Sequence, residues 1–153
     1  MSREIKFRAW DKDNEIMIYS DNCDFDNTAF IVTKTGLQFY YIDTDRYLQE
    51  ANTVNMQYTG LKDKNGKEIY KGDILKVKTG WYMSDKENSK HKFNNSIKGT
   101  TYWSVEHKVF SHQVGFRVYG IDRRFNKLLT PNTIINNDVE VVGNIYENSE
   151  LLE

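Results

Sequence analysis

Three histidines, one cysteine and a scatter of aspartates are the residues of this 153-residue chain whose types suit catalysis or metal binding. His107 and His112 stand five apart, which places them on opposite faces of a strand. Neither they nor His91 has a cysteine or a His-x-x-x-His partner nearby. Asp21, Asp24 and Asp26 crowd one stretch but lack the glycine and the bidentate glutamate of a calcium loop, so they read as a solvated loop. Cys23 sits among these acids, whose charge raises a thiol's pKa and blunts it as a nucleophile. There is no phosphate-cradling glycine loop and no nucleophile elbow. The expectation is a protein without catalytic, cofactor or metal residues.

A second chemistry is open to the lysines. Residues 56–98 hold 10 lysines against 5 acids, a balance of +5, while residues 1–55 balance at −4 and residues 99–153 at −2. Lys62, Lys64, Lys67, Lys71, Lys76 and Lys78 accompany Tyr58, Tyr70, Trp81 and Tyr82, and small barrels bind single strands through aromatic platforms in basic grooves. Tyr70 is the candidate for stacking on a base. Against this, arginine is absent from residues 47–116, and arginine is the favoured group for bidentate phosphate and base contacts. A lysine-rich, solvated stretch is the simpler reading, so nucleic acid is allowed but not favoured.

The elements that must carry these residues are mostly strands. Three Trp, ten Tyr and eight Phe suit half-buried pleated surfaces, and one Pro with nine Gly argues against low complexity. Period-two alternation marks Ile5, Phe7 and Ala9 as buried, with Lys6, Arg8 and Trp10 outward; Asp11–Asn14 turns the chain and Glu15–Tyr19 returns. Ala29–Thr33 and Leu37–Ile42 flank a tight turn at 34–36, and Asp43 or Asp45 caps an expected short helix at Arg46–Asn52. The clearest hairpin runs from Val54–Tyr58 through Asp63-Lys64-Asn65-Gly66 to Tyr70, where Gly66 can take the positive φ that closes such a turn. Strands follow at Ile74–Lys78, Tyr102–Phe110, Val114–Val118 and Val139–Ile145, with a second short helix expected at Asp122–Leu129. Residues 79–99 read as a long flexible loop, few in apolar anchors and rich in charge.

Three blocks stand out: Arg3–Asp11, the long run Gln57–Ile74, and Val141-Val142-Gly143-Asn144-Ile145-Tyr146-Glu147-Asn148. In order and position they resemble the YopX family of phage and prophage proteins. The resemblance implies a small SH3-like β-barrel, a phage or prophage origin and no assigned reaction, and it brings no catalytic residues with it. The blocks also make physical sense alone. Gly60, Gly66, Gly72 and Gly143 fall where turns or close strand contacts exclude a side chain, and Asp73 can bond turn amides ahead of Ile74. They read as specifying the fold.

The expected architecture is all-β: an N-terminal β extension with a short helix over residues 1–55, then an SH3-like barrel over 56–153. One cysteine fits a reducing compartment, and no apolar run approaches a membrane span, so the host cytoplasm is expected. The expected role is an accessory protein that self-associates or docks on a host or phage protein, because the aromatics exceed what one small barrel hides.

Overall fold

The computed structural model describes residues 4–22, 27–34, 36–77, 101–110, 113–120, 126–136 and 138–153. The long loop expected at 79–99 lies outside them, as do Lys78, Trp81, Tyr82, Cys23, His91 and His112. The chain is mostly β and divides into two compact units, residues 1–60 and 61–153.

In the first unit β1 (Phe7–Asp11) lies between β2 (Ile16–Tyr19) and the first half of β6 (Thr53–Lys62), antiparallel to both. Burial along β1 departs from the expected alternation, because Arg8 stands opposite Met56 of β6, which gives its guanidinium a partner. Arg8 is buried with Ala9 and donates to Met56 Sδ at 3.7 Å, whereas Ile5 is exposed. Asp11 closes the β1–β2 turn by accepting the N–H groups of Asp13 and Asn14 and the side-chain amide of Asn14. Burial pushes the Asp11 carboxyl up, but these bonds outweigh it and hold the group below the usual carboxylate range.

The same unit contains a three-stranded sheet, β3 (Thr28–Thr33), β4 (Gly36–Ile42) and β5 (Leu48–Glu50), with β4 central. The strand at β5 replaces the helix expected over Arg46–Asn52. Asp43 does not cap a helix: its Oδ1 accepts the N–H of Asp45 at 3.0 Å and of Tyr47 at 2.9 Å, bending the chain back on β4. Arg46 takes φ of 65° to complete the turn, a conformation that L-residues accept at a cost.

The second unit is a curled antiparallel sheet in the order β11 (Asn126–Leu128), β10 (Gln113–Gly120), β9 (Thr101–Phe110), β8 (Asp73–Val77), β12 (Glu140–Asn144). β7 (Glu68–Tyr70) precedes it, across the 63–67 turn from the end of β6. Ile69, Leu75, Val77, Trp103, Val105 and Val118 lead its apolar core, joined by Ile134 and Val139. Residues 126–128 are a strand, not part of the helix expected at Asp122–Leu129; the one α-helix among the described residues, α1, comes later at Pro131–Asn136. Thr130 Oγ1 accepts the N–H of Thr133 at 3.1 Å, so Thr130 caps the helix and Pro131 fills its first position, where a missing N–H costs nothing.

Candidate functional site

Two surfaces compete for function, one in each unit. The basic segment of the second unit begins with the turn between β6 and β7. Asp63, 6% exposed, accepts the N–H of Asn65 (2.8 Å) and Lys67 (2.9 Å) through Oδ1, and the buried N–H of Val141 on β12 (2.9 Å) through Oδ2. The Lys64 N–H bonds the Val139 carbonyl at 3.1 Å, and Lys64 Nζ lies 3.3 Å from Asp138 and 3.2 Å from Glu140. Partial desolvation pulls the Lys64 ammonium down, but the two carboxylates prevail and raise it above its ordinary value. The outer side of β12 is thus covered by the 63–64 backbone and one carboxylate.

Lys62, Lys67 and Lys71 are exposed and Lys76 is half-buried, in register opposite Glu140. Lys64 and Lys76 therefore share their surface with acids. Tyr70 is 4% exposed and its hydroxyl donates to Glu68 at 2.8 Å, and Tyr58 is also buried. Neither ring presents a face on which a base could stack. His107 is exposed and packs edge-on against Phe116 at 5.0 Å between ring centres. Among the described residues no three His, Cys, Asp or Glu side chains come together to hold a metal.

The turn residues are placed as follows. Gly60, Gly66 and Gly72 all have φ between 82° and 85°. Gly72 donates to the Val105 carbonyl and accepts from the Ile145 N–H, joining β9 to the end of β12. Asp73 is wholly buried and accepts the Tyr70 N–H at 2.7 Å. Gly143 follows the bulge in β12; a Cβ there would lie 2.2 Å from Asn148 Oδ1 and 2.9 Å from Asn148 Cβ. That same Oδ1 accepts the Asn144 N–H at 3.3 Å, while Asn144 Oδ1 accepts the N–H groups of Tyr146 and Glu147.

The first unit carries a different surface. Residues paired across antiparallel strands share a face, so Phe30, Val32, Leu37, Phe39 and Tyr41 line one side of the β3–β4–β5 sheet. Phe30 and Phe39 meet there with ring centres 5.0 Å apart, and Phe39 is buried. Ile31, Gln38, Tyr40, Ile42, Leu48 and Glu50 line the other side. Tyr40 donates to Gln38, and Gln38 donates to Glu50, which leaves Ile31, Ile42 and Leu48 as the exposed apolar members of that face. Tyr47 at the turn is 68% exposed and Val32 on β3 is 80% exposed. The sequence reading missed Tyr47 and Leu48 because it made 46–52 a helix. The available signal was Asp43-Thr44-Asp45-Arg46-Tyr47 between β-forming runs, the same pattern as Asp63-Lys64-Asn65-Gly66-Lys67.

Small antiparallel sheets, one of them curled into a half-barrel, with side-chain-capped turns, define a small all-β protein. The chain belongs to the YopX family: the family model described as YopX protein matches residues 6–153. Protein EF1440 from Enterococcus faecalis, known from a crystal structure, aligns with a TM-score of 0.58 over 99% of this chain and 100% of its own, at 22% identity, a likeness of fold. Comparison with curated proteins finds no match. No helix among the described residues is long and apolar enough to cross a membrane.

Proposed function

We propose that this protein is a non-catalytic accessory module of a phage or prophage that acts in the host cytoplasm by binding protein, foremost other copies of itself. One observation carries the reading. Of the large apolar side chains exposed among the described residues, all but Ile135 belong to the first unit, and most of them to the β3–β4–β5 sheet and its 43–47 turn. Apolar surface concentrated on one small sheet, on both of its faces, favours association, because covering it removes it from water. The test is light scattering across micromolar concentrations. The expected mass is a multiple of 18.1 kDa. A mass of one chain at every concentration removes self-assembly.

The excess of lysine in residues 56–98 favours a second reading, a nucleic-acid-binding module. Binding of that kind falls steeply with salt, since each neutralised phosphate releases counterions. Lys62, Lys67 and Lys71 changed together to Glu is the suitable variant, because all three are exposed and Lys64 already serves Asp138 and Glu140. Salt-sensitive micromolar binding to DNA or RNA, lost in that variant, establishes the second reading. The expected result is no such binding, with Tyr58 and Tyr70 buried and acids among the lysines.

A further inference from the structure

We infer that the outer edge of β3 is where two copies of this chain meet, pairing antiparallel about a two-fold axis at Ile31. The inference rests on the self-assembly proposed above and names its contact. Among the described residues no strand lies beyond β3, whose six residues keep unbroken register against β4. The Ile42 N–H bonds the Asn27 carbonyl at 2.8 Å. In a regular antiparallel ladder the bonding direction alternates along the strand, so residues 29, 31 and 33 also address β4. Phe30 and Val32 then direct their N–H and C=O groups to the open side.

Edges of this kind are normally blunted by lysine, proline, a bulge or brevity. β3, Thr28-Ala29-Phe30-Ile31-Val32-Thr33, has no charge, no proline and no break in register. The opposite edge of the same sheet, β5, is three residues long and ends in Glu50. An open backbone ladder accepts an extended strand, and the composition of this one selects its own copy. With the axis at Ile31, Ile31 faces its counterpart on one side of the joined sheet. On the other side Phe30 faces Val32 of the second copy, which covers the 80% exposed Val32. Phe30 and Val32 exchange four backbone hydrogen bonds with their counterparts, and no like charges meet along the strands.

Val32→Pro is the decisive variant. It removes an N–H that points away from β4, so the internal ladder keeps all its bonds, while the proline ring blocks the incoming strand. Ile31→Lys is the second variant, setting like charges against each other at the axis. Sedimentation and light scattering should show each variant folded by circular dichroism yet associating at least about tenfold more weakly. In the unmodified protein, amide exchange at Phe30 and Val32 should slow as concentration rises. Added salt should strengthen association, because it screens repulsion between chains whose residues 1–55 balance at −4. Variants that stay folded and associate as well as the parent overturn the edge contact while self-assembly stands. Association that weakens with salt does the same and assigns the contact to acidic and basic segments. A parent protein that is monomeric throughout overturns both.

Discussion

In the turn at residues 43–47, Asp43 Oδ1 accepts the N–H groups of Asp45 and Tyr47; in the turn at 63–67, Asp63 Oδ1 does the same for Asn65 and Lys67. The backbone bonds also correspond, Asp43 N–H to the Tyr47 carbonyl and Arg46 N–H to Asp43, against Asp63 N–H to Lys67 and Gly66 N–H to Asp63. The second carboxylate oxygen separates the two. Asp43 Oδ2 accepts from Gln49 on its own exposed hairpin, whereas Asp63 Oδ2 accepts the buried Val141 N–H from β12. One turn chemistry serves a local bend in the first case and a long-range tie in the second. What decides is whether a strand edge comes within reach of the spare oxygen.

The comparison breaks most easily at Asp63. Asp63→Ala leaves the Val141 N–H buried without its acceptor and opens the turn, an expected loss of about 2–4 kcal/mol in denaturant unfolding. Asp63→Asn isolates the tie, since its carbonyl can still serve the turn while its amide faces another donor. Asp43→Ala, on an exposed turn, should cost much less. Equal losses at the two positions would show that the tie to Val141 adds nothing.

The third residue after each aspartate sharpens the contrast, because both take positive φ, 84° at Gly66 and 65° at Arg46. An added Cβ at Gly66 meets nothing within 4 Å, so Gly66→Ala should cost about 1 kcal/mol through backbone strain alone. Arg46→Gly should relieve strain and gain about 0.5 kcal/mol after the extra entropy of glycine in the unfolded chain. Thermal unfolding of the two variants should therefore shift in opposite directions.

The smallest expected effect is with pH. The Tyr47 N–H bond, then that from Gln49, holds the Asp43 carboxyl below the usual carboxylate range. A carboxyl lowered in the folded chain stabilises it fully above its unfolded pKa, and that contribution fades as pH falls through the folded one. The loss thus begins near pH 4 and continues below it. In Asp43→Asn the acid limb of stability against pH should be shallower. An unchanged limb would assign acid sensitivity elsewhere, with Asp11 the next group to examine.

Strands were legible wherever a turn signal and β-forming residues agreed, as at Asn65-Gly66 and at Lys34 before Gly36. They were not legible where one residue type serves two local roles. Asp43 offers its oxygen equally well to a helix N-terminus or to a turn, and only pairing of Tyr40–Ile42 with Leu48–Glu50 selects the turn. Alternation failed at Arg8 because its guanidinium is buried against Met56 of β6, a partner that the pattern of β1 alone does not reveal. The helix at Pro131 was readable in Thr130-Pro131 but looked like the end of an earlier element. The candidate surface was hidden for a related reason: exposure of Ile42 and Leu48 depends on which strands lie beside them.

The tie from Asp63 to Val141 spans 78 residues of chain. At 5–20 residues per second, a ribosome completes the 63–67 turn about 4 to 15 s before the amide that will meet Asp63 has been made. The hairpins of residues 7–50 close between near neighbours and can form as they emerge. The half-barrel cannot close its last edge until its final strand is synthesised, so through most of translation the second unit waits, with a hydrated carboxylate holding the place of β12.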